Sequence, residues 1–100
     1  MLARGTRNGQ PITLAGRIDR LVVEPRRVLV VDYKSDANAP GDQNGVPAAY
    51  LSQLGLYALV ASQLFPDHRV EAAILWTGLE SLMDLSSTKL REAVAGFTLG

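Results

Sequence analysis

Residues 16–34 read GRIDRLVVEPRRVLVVDYK, and the fold turns on how the two apolar runs in this stretch face each other. The first run closes at Val23 and the second opens at Val28, with Glu24, Pro25, Arg26 and Arg27 between them. Pro25 suits the second position of a type I turn, because its ring presets the backbone angle. Two apolar runs joined by so short a polar turn read as a β-hairpin. With Glu24 to Arg27 as the loop, Val23 faces Val28, and counting back along both strands sets Asp19 opposite Asp32. Directly opposed residues share a face, with Cβ atoms about 4.5–5.5 Å apart.

Two carboxylates at that separation destabilise a sheet unless something positive lies between them. A divalent cation fills that need, and hard oxygen ligands select Mg²⁺, or Mn²⁺, over zinc. Strand alternation puts Lys34 on the face of Asp32. Tyr33 then points the other way, into the core, leaving its backbone carbonyl free as a further ligand. Two carboxylates and an ammonium group on one face are the equipment of metal-assisted hydrolysis. A blander reading stands beside this one: Asp32 and Lys34 as a surface ion pair, and Asp19 as a structural aspartate paired with Arg17 and Arg20.

Toward the N-terminus, residues 12–23 read as the first strand and residues 1–10 as a loop or frayed end. Residues 1–27 hold six arginines, Arg17 and Arg20 among them, against Asp19 and Glu24, a net +4. Such a surface can meet phosphates or simply be solvated. The whole chain, however, has a formal charge of zero, which weighs against a self-sufficient nucleic-acid binder.

Toward the C-terminus, residues 35–46 are rich in Asp, Asn, Pro and Gly and break the pattern. Residues 47–64 read as a helix, with Pro47 early, where its missing N–H costs nothing; Pro66 stops it. Its apolar residues fill most of the circumference, so it packs on more than one side. Tyr50, Gln53 and Tyr57 share one stripe of this helix. A glutamine there, facing the carboxylates, would orient Lys34, a water or a phosphate; facing outward, it marks a helix edge wetted by solvent. His68, after Pro66, reads as a solvent-exposed loop residue. Residues 70–77 form a strand buried on both faces, residues 81–85 a fourth strand, and Ser87 or Thr88 caps a last helix ending near Ala95. The order β-β-α-β-β-α describes an α/β domain with a mixed sheet.

The length of 100 residues suits one domain, and 47% hydrophobic residues allow a real core. The absence of cysteine excludes thiolate catalysis and cysteine zinc sites, and fits a reducing cytoplasm. No signal-peptide run opens the sequence, and the apolar stretch at residues 51–65 is too short and too polar for a membrane span.

Taken in series, Gly16-Arg17-Ile18-Asp19-Arg20, Val31-Asp32-Tyr33-Lys34-Ser35 and Gln53-x-x-x-Tyr57 closely resemble the PD-(D/E)XK nuclease domain of the RecB and AddA families, and AddA most of all. These are the C-terminal nuclease modules of bacterial double-strand-break repair helicases. The similarity spans residues 12–77, so residues 12–100 are expected to be a restriction-endonuclease-like core lacking its N-terminal helix, with residues 1–11 a loop. The resemblance implies Asp19 and Asp32 as metal carboxylates, with the Tyr33 carbonyl completing the metal sphere. Lys34 would position or activate the attacking water, and Gln53 and Tyr57 would order the site or contact DNA. Arg17, Arg20 and Tyr50 are the further candidates for DNA contact. Implied too are Mg²⁺ as cofactor, exonuclease activity on DNA, a cytoplasmic bacterial setting, and as partners a helicase portion and a second helicase–nuclease subunit. The family's upstream helical region, which contributes a histidine or glutamate to the metal site, has no counterpart here, and no phosphate-binding loop occurs. Two alternatives follow: a nuclease-fold binding or assembly module inactive in isolation, or a CRISPR-associated or phage-type exonuclease core. Apolar surface left by the missing helices would favour self-association of the fragment.

Overall fold

Two antiparallel hairpins open the chain. In the computed structural model, which describes residues 2–36 and 38–99, β1 (Leu2–Arg7) pairs with β2 (Gln10–Ala15), and β3 (Arg20–Val23) pairs with β4 (Arg27–Lys34). The second hairpin has the expected register, with Val23 opposite Val28 and Arg20 opposite Val31. The Glu24 N–H donates to the Arg27 carbonyl at 2.8 Å and closes the turn.

The first hairpin corrects the reading of residues 1–10 as a loop. Asn8 and Gly9 both have positive φ, 51° and 81°. That conformation belongs to the tight turn whose twist matches the flanking strands, and Asn-Gly is its sequence signature. Residues 12–23 are likewise not one strand. They divide at residues 16–19, where the chain leaves one sheet for the other.

After β4 the chain passes through a 3₁₀ turn, Gln43–Gly45, into α1 (Ala48–Leu64), then β5 (Arg69–Trp76), β6 (Ser81–Leu85), α2 (Ser87–Ala93) and β7 (Phe97–Leu99). The larger sheet has the order β3-β4-β5-β6, with β4 and β5 parallel and its other pairs antiparallel. The smaller sheet has the order β2-β1-β7. Ser86 caps α2, accepting the Lys89 N–H at 3.2 Å, so the cap falls one residue before the expected Ser87. The short β7 lacked any sequence signal of its own and exists by pairing with β1.

α1 lies between the two sheets, which explains its apolar circumference. Leu54, Tyr57 and Ala61 pack on Val28, Val30, Ala72 and Ile74 of the larger sheet. Leu56 and Leu59 belong to a second cluster with Ile12, Val94 and Phe97. Leu54 is fully buried, so Leu54→Ala would cost about 2–5 kcal/mol. Gly55 sits where α1 meets α2: a Cβ there would stand 2.7 Å from Val94 Cγ1 and 2.9 Å from the Leu90 carbonyl oxygen. Close approach of the two helices thus requires glycine despite its poor helix propensity.

Candidate functional site

β4 outruns its antiparallel partner. The ladder with β3 begins at Arg20 opposite Val31, leaving residues 32–34 of β4 beyond it. Asp19, at the bend just before β3, occupies that edge, and its Oδ2 accepts the Tyr33 N–H at 2.9 Å. On the other side β5 runs alongside as far as Trp76. The Thr77 N–H and hydroxyl then donate to the Lys34 carbonyl at 2.9 and 3.3 Å. β4 is therefore held at Tyr33 on one edge, through its N–H, and at Lys34 on the other.

Asp32 is 3% exposed, a charged residue within an apolar core. Lys34 Nζ lies 2.8 Å from Asp32 Oδ2, yet no aligned hydrogen-bond donor reaches that oxygen. The atom is charge-paired but not saturated. Burial pushes the Asp32 carboxyl above the ordinary carboxylate range; Lys34 opposes the shift and Asp19 adds to it. Asp19 moves the opposite way, chiefly because its charged form accepts the Tyr33 N–H, with Asp32, Arg17 and Lys34 reinforcing. Two neighbouring carboxyls driven apart in this way are a common mark of functional sites.

α1 supplies the second wall. Gln53 Oε1 accepts from Lys34 Nζ at 3.0 Å, and Gln53 Nε2 donates to the Tyr57 hydroxyl at 3.2 Å. The glutamine faces the carboxylates and orients Lys34, so it is no solvent-wetted helix edge. One turn earlier, the Tyr50 ring lies under Lys34 Nζ, 4.3 Å from the centroid. Gly16 passes close to Tyr57: a Cβ at Gly16 would stand 2.5 Å from the phenol oxygen.

Asp19, Asp32, Lys34, Tyr50, Gln53 and Tyr57 thus come together. Asp19 does so from the bend before β3 instead of from within the ladder. Arg20, opposite Val31, projects from the other face of the sheet, and Arg17 lies exposed in the connection between the sheets. Tyr33 does turn away from Asp32 but is 40% exposed instead of entering the core. Its face holds the small Leu29, Val31 and Ala73 cluster, which reaches Tyr33's pair Leu75 but leaves Tyr33 itself 40% exposed. His68 is half-buried, edge-on to Phe65 at 5.4 Å between ring centroids, and is not the solvent-exposed loop residue expected. Asp36, whose carboxylate accepts from the Tyr50 hydroxyl at 3.0 and 2.9 Å, escaped sequence reasoning because it falls among turn-forming residues; its place two residues past Lys34 was the available signal.

Against known proteins, the profile of the PD-(D/E)XK nuclease superfamily matches residues 2–95. The chain belongs to that superfamily. Its mixed sheet flanked by helices is the restriction-endonuclease-like PD-(D/E)XK fold. The chain is also similar to an ATP-dependent helicase/nuclease subunit of the AddA type from Streptococcus sanguinis (strain SK36), with 32% identity over 82 residues, 82% of this chain and 6% of that protein. It therefore spans a small part of that relative's length. No solved structure matches it.

PD-(D/E)XK nucleases generally use divalent metal ions. The residues present fit such an ion: two adjacent carboxylates, one with an unsaturated buried oxygen, offer the hard donors it prefers. Among the described residues, no third acid, histidine or cysteine joins them.

Proposed function

We propose that this chain carries the metal-dependent DNA-cleaving centre of a helicase–nuclease of the AddA type. Asp19 and Asp32 would hold a divalent cation, Mg²⁺ or Mn²⁺. The N–H and C=O of a strand residue point the same way. The Tyr33 carbonyl thus faces the edge where Asp19 takes the Tyr33 N–H, and is suited to be a further ligand. A bound cation would supply Lewis-acid polarisation of the phosphodiester and a lowered pKa for bound water. Lys34 places a fixed positive charge beside the carboxylates, where it stabilises charge developing on the phosphate oxygens. Gln53 fixes the ammonium, and Tyr57 fixes Gln53. Arg17, beside Asp19, would meet the DNA backbone.

The observation that carries this reading is Lys34 Nζ held between Asp32 at 2.8 Å and Gln53 at 3.0 Å, within a superfamily of nucleases. Cleavage of linear DNA with Mn²⁺ or Mg²⁺, compared with Asp32→Ala and Lys34→Ala, tests it. Loss of cutting in both variants, with an unchanged circular dichroism spectrum, supports the assignment; undiminished cutting by both removes it. Exonuclease action and a role in DNA repair follow the same reading, prompted by the helicase/nuclease relative.

A second reading, a nuclease-fold module inactive in isolation, is favoured by the two-carboxylate donor set. Metal binding by calorimetry without cleavage would select it.

A further inference from the structure

We propose that Asp36 is a positioning residue for Lys34, acting through the ring of Tyr50. The inference rests on the nuclease reading for its purpose and on geometry for its existence. Both Asp36 carboxylate oxygens accept from the Tyr50 hydroxyl, at 3.0 and 2.9 Å. A phenol has one proton to give, so the hydroxyl is centred on the carboxylate and the ring axis is aimed at it. Trp76 bears on the same ring, with centroids 6.3 Å apart and planes at 45°. Held by Asp36 and Trp76, the ring presents its face to Lys34 Nζ at 4.3 Å.

That face is one of three groups around the ammonium, beside Asp32 and Gln53. A lysine has a long flexible stem and a compact charge, so its placement depends on what surrounds its tip. Among the described residues Asp36 forms no ion pair with Lys34, and its influence runs through the ring it orients. The carboxylate at the phenol end also favours the neutral hydroxyl, raising Tyr50 above its ordinary range, so the hydroxyl remains a donor. Tyr50 is thereby engaged inside the protein at both its hydroxyl and one ring face.

The chain has two lysines, Lys34 and Lys89, so ¹³C-lysine labelling yields two resolved side-chain signals. A methylene beside a ring face is displaced upfield by the ring current; Lys89, on α2, serves as reference and as a report on folding. The expected result is an upfield ε-methylene for Lys34 in the unmutated chain, moving toward the Lys89 position in Asp36→Ala and equally in Tyr50→Phe. The double variant should move no further than either single one. Asp36→Asn, which keeps an acceptor oxygen, should recover part of the displacement. In cleavage assays Asp36→Ala should lower kcat about 3- to 30-fold, the span of a cation–π contact, with KM little changed. A Lys34 signal identical in the unmutated chain and Asp36→Ala overturns the proposal. So does a displaced signal accompanied by unchanged kcat. An unmutated chain that does not cut DNA counts against the nuclease reading alone, because the resonance measurement needs neither metal nor activity.

Discussion

Asp19 reaches across the open edge of the second hairpin and accepts the Tyr33 N–H at 2.9 Å, so that a carboxylate completes a ladder β3 leaves unfinished. The same group therefore has a structural duty and a proposed chemical one, and the two can be separated. Asp19→Asn keeps an acceptor oxygen and should fold with nearly unmutated stability. Asp19→Ala should lose about 0.5–1 kcal/mol, the low end for one hydrogen bond, because Asp19 is exposed. Urea denaturation measures the difference, and calorimetry with Mn²⁺ should show weakened binding in both. Equal stability of the two variants would mean that the bond to Tyr33 contributes nothing.

The burial of Asp32 gives stability an unusual pH dependence. Its carboxyl is raised in the folded state, so between the unfolded and the folded pKa the folded chain retains a proton that the unfolded chain has released. Stability from this group is complete below the unfolded pKa, about 3.9, and is lost as pH rises through the folded value. Asp19 behaves oppositely: its lowered carboxyl contributes above the unfolded pKa and fails as pH falls through the folded one. Asp32→Asn should therefore raise the metal-free Tm at pH 7 while changing it little at pH 3. A lower Tm for this variant at pH 7 would show that the ion pair with Lys34 outweighs the burial cost.

Gln53 joins Lys34 to Tyr57 through its two amide ends. Gln53→Leu preserves bulk and removes both bonds. The expected loss in kcat is about tenfold, corresponding to one hydrogen bond of roughly 1.4 kcal/mol. Gln53→Glu should restore the contact to Lys34 while adding a negative charge near the carboxylates. Steady-state cleavage kinetics of the three proteins decide the point; a Leu variant as fast as the unmutated chain denies Gln53 any part.

Gly16 and Tyr57 meet where the connection between the sheets crosses α1. An alanine Cβ at Gly16 would lie 2.5 Å from the phenol oxygen and 3.2 Å from Cε1, so one of them must move. Gly16→Ala should cost about 1–3 kcal/mol, and Tyr57→Phe in the same chain should recover part of it by removing the oxygen. The coupling energy from this double-mutant cycle is the measurement, and strict additivity would show that the two residues do not touch.

Much of the centre was legible because strand chemistry is local. Pro25 placed the turn, the turn placed the register, and the register set Arg20 opposite Val31, leaving Asp19 at the bend just beyond, beside Asp32 and Lys34. What stayed hidden depended on contacts made elsewhere in the chain. The Arg-Gly-Thr-Arg of β1 is too polar to announce a strand and becomes one by pairing with β2 and β7. Tyr33 follows the alternation rule, yet its exposure depends on what covers that face, which alternation does not specify. Asp36 could be assigned no partner until α1 placed Tyr50 over it.

The parallel pairing of β4 with β5 also sets an order in time. Each pair in that ladder joins residues 42 positions apart, from Arg27 with Arg69 to Lys34 with Trp76, and such distant pairings close slowly. As the chain emerges during synthesis, Asp19, Asp32 and Lys34 precede α1 and β5, and stay bare charges on the second hairpin until those elements follow. The second wall is absent until α1 has been made, and β4 is gripped on its far edge only when Trp76 arrives. The charges at the heart of the centre are therefore translated ahead of the elements that enclose them.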